Sequence, residues 1–458
     1  MKTNRFFSLF LALVMVFLLT PAALAAEDEP VLPEEPEILA KAALLVDYNT
    51  GLPVYAKNEH EELYPASLTK IMTALLTLEA IDAGKLTMDQ TLTASASALE
   101  GLSADGSTAG IQVGETMTVR DLLYCMLVVS ANEACDILAE GVSGSVSAFV
   151  EKMNEKAAAL GCENTHFVNP NGLHDPQHYT SAWDLYLITR SAMEHEAFMT
   201  ICDTASYTVP ATNLNPERKL YTTNHLLSNW RVIGYRDTRA HGIKTGSTDD
   251  AGYCLVSSAM KGSLHFVSVI LGAERVETNG VGDIRSFSHT SRMFDYGFNN
   301  FTYKTIVDEG EAIQEVPVSL SKVDHVTVYP AASSEVLLPK TLNAEDLERT
   351  IVLQEPVEAP VAKGQKLGTM ELSYDGVVYA SVDLLAGFDV EASRLMTFWR
   401  DLKDFFSKPA VRILAILLLI ALVVLTALRL LVGRRRYRYG RSVGRRGHGN
   451  YRGRRFRR

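Results

Sequence analysis

Residues 411–432 form an apolar run of 22 residues, charged only at Arg412 and Arg429 near its edges. As a helix it would extend about 33 Å, enough to cross a bilayer, and arginines so near the ends can snorkel to the interface. After it, residues 433–458 carry twelve arginines and no acid. Arginine-rich flanks stay on the cytoplasmic side. The body of the chain is therefore expected outside the cytoplasm, at the cell membrane, held by a single C-terminal span. The net charge of −10 is the balance of +12 on this tail and −22 on residues 1–432. The tail reads either as a binder of anionic lipid headgroups or nucleic acid, or as a disordered topology anchor. Lipid is the expected partner; nucleic acid is not.

The other end is built differently. Lys2 and Arg5 precede an apolar run over 6–19, then Pro21 and Ala23-Leu24-Ala25. This pattern reads as a secretory signal peptide over 1–25 rather than an uncleaved anchor. Residues 26–41 are acidic and proline-rich, a linker. Five cysteines (Cys125, Cys135, Cys162, Cys202, Cys254) leave at least one unpaired, so no disulfide scaffold is expected. No Cys/His group has zinc spacing, and neither metal nor cofactor is expected.

Between the ends, 42–48 and 52–56 flank Asn49-Thr50-Gly51 as a β-hairpin. Helical periodicity runs from Ser67 to about Ala83, then over 118–129, 131–140, 146–160 and 182–194, with Thr118-Val119-Arg120-Asp121 as a capping start. Strands are expected at 252–259 and 264–271, and a helix at 286–296. From about 301 to 389 short Val-rich segments broken by Pro, Gly and Asp (316–318, 325–329, 350–353, 368–374, 377–382) read as a small all-β domain. Within 390–408, Leu395, Phe398, Trp399, Leu402, Phe405 and Phe406 recur at helical spacing. That is an amphipathic helix lying on lipid, or packed on the β-domain.

Three short motifs carry chemistry. Ser-x-x-Lys occurs at Ser67–Lys70, Ser258–Lys261 and Ser319–Lys322, but only Ser67 sits on a helix start. There the lysine amine lies on the serine's face, placed to take a nucleophile's proton, and free helix N–H groups can gather an oxyanion. Ser130-Ala131-Asn132 is the one Ser-x-Asn: a hydroxyl for proton transfer and an amide for a peptide, or simply an N-capping serine. Lys244-Thr245-Gly246, at a strand start and followed by Ser247, offers a cation for a carboxylate and a glycine for close approach, or an edge-strand lysine.

The ordered triplet is a signature of class A β-lactamases and penicillin-binding proteins. With Tyr64-Pro65-Ala66-Ser67-Leu68-Thr69-Lys70, Asn169-Pro170-Asn171-Gly172-Leu173 and Lys244-Thr245-Gly246-Ser247-Thr248-Asp249-Asp250-Ala251-Gly252-Tyr253, residues 40–300 resemble the low-molecular-mass penicillin-binding proteins. These are the D-alanyl-D-alanine carboxypeptidases of serine peptidase family S11. Ser247 stands where some relatives carry histidine, and some relatives anchor by an amphipathic helix alone.

The resemblance implies an α/β (α+β) serine β-lactamase/transpeptidase-like domain over 42–300. Its antiparallel sheet would carry a helical insertion, followed by the all-β domain and the membrane helix. It implies Ser67 as nucleophile, Lys70 as base and Ser130 as relay to the leaving D-alanine of a peptidoglycan stem peptide. Asn132, Lys244, Thr245, Gly246 and Ser247 would bind substrate, with the N–H groups of Ser67 and Ser247 as oxyanion hole. β-Lactams would be covalent inhibitors. A β-lactamase would need a deacylating base, and no Glu-x-x-x-Asn candidate is present. A β-lactam sensor would need a signalling domain, and a structural protein with a dead site would not keep the five polar residues.

Overall fold

The computed structural model describes residues 31–102, 106–278, 281–354 and 356–438. The expected signal peptide and the tail from 439 onward lie outside them. As far as they are described, Met1–Glu309, Ala332–Thr350 and Met370–Val382 form one compact unit, and Gly310–Ala331, Ile351–Thr369 and Asp383–Arg458 a second.

The first unit is built on a five-stranded sheet. Strands β1 (Ala42–Asp47) and β2 (Pro53–Lys57) form the expected hairpin; β3 (Ala240–Thr248), β4 (Gly252–Lys261) and β5 (Leu264–Ala273) come from far downstream. The order is β2-β1-β5-β4-β3, antiparallel at every step. Alternation along each strand divides the apolar residues between two faces. Leu44, Val46, Val256, Val267 and Val269 point to one core, and Leu45, Leu255, Phe266 and Ile270 to the other.

The helical insertion covers the first face. It comprises α1 (Lys70–Asp82), α2 (Val119–Val128), α3 (Asn132–Ser143), α4 (Val146–Ala159), α5 (Ala182–Met193) and α6 (Glu196–Cys202). Their starts are written in the sequence. Thr118, Ser145 and Ser181 accept the N–H of Asp121, Ala148 and Asp184, three residues on. α3 stops where Gly144 takes φ +79°. α1 is buried almost all round, with α3 and α5 packed against it. α7 (Arg285–Asn300) covers the opposite face through Phe287, Met293, Phe294 and Phe298.

Two boundaries differ from expectation at the motifs. The α-helix starts at Lys70, and Ser67 lies in a 3₁₀ turn, Ala66–Thr69. Ala66 holds φ +48°, in the left-handed region, so regular α-geometry cannot begin there. Lys244 is mid-strand rather than at a strand start. β3 begins at Ala240, pairs with Ala259, and carries a register irregularity between His241 and Lys244 that the glycine at 242 disguises as a break.

Downstream, strands appear where expected: Gln314–Ser319, His325–Pro330, Glu348–Leu353, Lys366–Tyr374 and Val377–Ala386, with others between. In the second unit, α8 (Arg394–Ser407) buries none of its residues, and Leu395, Phe398, Trp399, Phe405 and Phe406 are exposed. α9 (Pro409–Arg438) contains Pro409–Leu431, long and apolar enough to cross a membrane, with mean hydropathy 2.9. All five cysteines are unpaired thiols, four of them buried.

The core is expected to be sensitive to truncation where a large side chain is fully enclosed. Phe149 of α4 has no exposed surface, so Phe149→Ala should cost about 3–5 kcal/mol in denaturant unfolding monitored by circular dichroism.

Candidate active site

The turn that carries Ser67 is pinned from two sides. Thr69 Oγ1 donates to Ala66 O at 2.9 Å, and Thr73 Oγ1 donates to Pro170 O at 2.6 Å. The loop at 169–172 thereby lies against the start of α1. Gly172, at φ +84°, passes so close that a Cβ there would stand 1.9 Å from Ala66 O. Only glycine permits that approach.

Lys70 has no exposed surface. Its Nζ donates to Ser67 Oγ at 2.9 Å, to Asn132 Oδ1 at 2.8 Å and to the backbone oxygen of Asn171 at 2.5 Å. Burial holds its ammonium below the ordinary lysine value, with Cys135, Asp136 and Glu133 pulling the other way. Asp136, one turn along α3, accepts from Asn171 Nδ2 at 3.3 Å, and burial raises its carboxyl to about 7.

Ser130 and Asn132 sit where α2 hands over to α3. Ser130 adopts φ +66°, and Ala131 occupies the N-cap position with no side-chain cap. The Ser130 hydroxyl therefore does not cap α3; among the described residues it has no hydrogen-bond partner. Next in line, Glu133 Oε1 accepts from Thr108 Oγ1 and Ala109 N, while Asn132 N donates to Ser107 O. Those bonds dock the 107–109 segment at the cleft.

Strand β3 closes the opposite wall. Gly246 meets the serine turn so closely that a Cβ would lie 2.9 Å from Pro65 O and 3.0 Å from Ser67 N. Lys244 is buried, donates to Thr245 O at 2.8 Å, and is lowered to about 7 by burial and by Lys70. Thr245 Oγ1 lies 2.6 Å from Thr223 Oγ1. Ser67, Ser130, Thr245, Gly246 and Ser247 line one cleft of about 400 Å³. Lys70 and Asn132 stand behind it, joined to Ser67 by hydrogen bonds.

A serine, a buried amine, a second hydroxyl and a strand edge in one cleft suit acyl transfer. Residues 29–275 match the family of D-alanyl-D-alanine carboxypeptidases, peptidase S11, over more than half of the chain. The chain belongs to this family. Residues 301–392 match the C-terminal domain of penicillin-binding protein 5. The D-alanyl-D-alanine carboxypeptidase DacF of Bacillus subtilis is 32% identical over 86% of this chain and 97% of its own. DacA of Haemophilus influenzae is 30% identical over 83% of this chain and 93% of its own. The crystal structure of penicillin-binding protein 5 from Haemophilus influenzae has a TM-score of 0.63 at 31% identity. It covers 78% of this chain and 99% of that one.

The cleft contains parts that the motifs did not announce. Asn171 serves Lys70 through its backbone oxygen, which no side-chain pattern reveals. Thr223 comes from a loop with no signature. Asp136 sits one turn beyond Asn132, a spacing that could have flagged it as facing the same way.

Because Gly172 combines a left-handed backbone with an impossible Cβ position, Gly172→Ala should displace the Ala66–Ser67 turn. Labelling by a fluorescent penicillin is expected to slow by at least about tenfold, in line with the cost of small misplacements at a reacting centre.

Proposed function

We propose that Ser67 is the nucleophile and Lys70 its base. The observation that carries this is the partner set of the Lys70 amine. Asn132 Oδ1 and Asn171 O can only accept, so a neutral amine gives its two protons to them. Its lone pair is then left facing Ser67, the one partner able to donate. Burial favours that neutral form.

Ser67 Oγ attacks the carbonyl between the two terminal D-alanines of a peptidoglycan stem pentapeptide, and Lys70 takes its proton. The N–H groups of Ser67 and Ser247 hold the oxyanion. Ser130 passes a proton to the departing D-alanine nitrogen, completing the acyl-enzyme; water then releases the shortened peptide. Asn132 holds Lys70 and orients the peptide. Lys244 and Thr245 take the terminal carboxylate, and Gly246 lets the strand close on the serine turn. A β-lactam enters as a mimic of the dipeptide. Its opened ring stays attached to the acyl group, which blocks the path of water.

In this reading the catalytic domain spans 42–300 and the all-β domain 301–389. The apolar helix anchors the enzyme in the cell membrane with both domains outside the cytoplasm. The exposed apolar face of α8 supports a place for that helix at the lipid interface. The arginine tail, largely beyond the described residues, would lie on the cytoplasmic side against anionic lipid.

The full chain should release D-alanine from a pentapeptide ending in D-Ala-D-Ala. Ser67→Ala should abolish that release, and Lys70→Ala should remove at least about two orders of magnitude from penicillin acylation. Wild-type labelling of Lys70→Ala would show that another group is the base.

kcat/KM should rise with pH as Lys70 loses its proton, then fall as Lys244, which burial holds below the ordinary lysine value, loses its own. Arginine stays charged at this position, so Lys244→Arg should move the falling limb up by more than about one pH unit. An unmoved limb would acquit Lys244.

A further inference from the structure

We propose that His178, acting through Thr69, orients the Ser67 N–H for its work in the oxyanion hole. It is a positioning residue, and the inference rests on the assignment of Ser67 given above.

The chain of hydrogen bonds has one direction. Val168 N donates to His178 Nδ1 at 3.2 Å. A backbone N–H can only donate, so Nδ1 accepts and the ring proton of the neutral imidazole is on Nε2. Nε2 lies 2.8 Å from Thr69 Oγ1 and donates to it. Thr69 has one hydroxyl proton left, and it goes to Ala66 O at 2.9 Å. His178 and Thr69 are 2% and 0% exposed, so water does not compete along this path. Burial lowers His178 to about 4, which keeps the ring neutral at working pH.

What the chain grips is a peptide unit. The carbonyl of Ala66 and the N–H of Ser67 belong to one plane and point in opposite directions. Fixing the oxygen fixes the N–H. The grip is needed because Ala66 holds φ +48°, a conformation that non-glycine residues adopt at a cost. Gly172 crowds the same carbonyl, close to the Thr69 hydroxyl as well. The carbonyl end is thus held by a hydroxyl and hemmed in by a backbone, and Ser67 N lies at the wall formed by Gly246.

Nothing in this chain touches the reacting atoms, so a purely structural role must be told apart from orientation of the N–H. The test uses the full-length protein in detergent. Thr69→Val keeps the shape of the side chain and removes the hydroxyl; Thr69→Ser keeps the hydroxyl. Acylation by a fluorescent penicillin should fall about tenfold in Thr69→Val, a fraction of the loss from deleting an oxyanion donor, and stay within about threefold in Thr69→Ser. A depsipeptide ester and its thionoester supply the second readout. Sulfur fits an oxyanion hole poorly, so the preference for the ester should shrink in Thr69→Val, because a misaimed N–H discriminates less. His178→Phe should behave likewise, and the double variant should be no worse than either single, since both act through one chain. Should His178→Phe fail to fold, Thr69→Val alone decides. Acylation at the wild-type rate in folded Thr69→Val would overturn the proposal, as would a slower rate with the ester preference unchanged. Persistent labelling of Ser67→Ala would instead overturn the nucleophile assignment, which keeps the two failures separate.

Discussion

A lysine amine buried without exposed surface, its three partners all oxygens, is the constraint around which the catalytic domain is arranged. Isolated buried charge is costly, and a buried amine without partners is costly too. The protein meets both demands with neutral acceptors. One comes from the start of α3 and one from the loop at 171; the third partner, Ser67, precedes α1. Three segments far apart in sequence must therefore arrive together, and further hydrogen bonds secure them and their surroundings. Thr73 holds the loop, Glu133 and Asn132 hold the 107–109 segment, and Thr69 holds the serine turn. Asp136, bonded to Asn171, links two of these segments behind the lysine.

Backbone proximity, more than side-chain identity, sets the dimensions of the cleft. Gly172 and Gly246 approach the turn around Ser67 from different directions, each at a distance that excludes a Cβ. Side chains elsewhere in the core interdigitate and tolerate small adjustments. Here main chain meets main chain, and there is no rotamer through which strain can relax. The left-handed residues Ala66 and Ser130 flank this region in space as local departures from regular structure, each just before a helix that has no side-chain cap.

The sequence made the elements legible because periodicity and caps agreed. The hairpin at Asn49-Thr50-Gly51, the helix capped by Thr118 and the strands around Lys261-Gly262 all stand where alternation and turn residues put them. Ser67, Lys70, Ser130, Asn132 and Lys244 could be singled out because their side chains carry distinctive chemistry in a fixed order. What remained hidden acts through geometry. The Asn171 oxygen is a main-chain atom. His178 and Thr69 look like ordinary buried polar residues until their direction is traced, and Thr223 pairs with Thr245 only because its loop meets β3. The strand start at Ala240 was masked by Gly242, whose φ of +59° accommodates an irregularity inside a continuing strand.

The cysteines separate stability from chemistry with oxidants. Cys125, Cys135, Cys202 and Cys254 are buried, and burial raises each thiol, which leaves little thiolate to react. No disulfide ties the described segments together, so cohesion comes from apolar contacts, hydrogen bonds and ion pairs such as Arg218–Glu115. The native state of these segments contains no bond that thiol exchange would have to form. The native contacts themselves therefore call for neither an oxidising nor a reducing compartment.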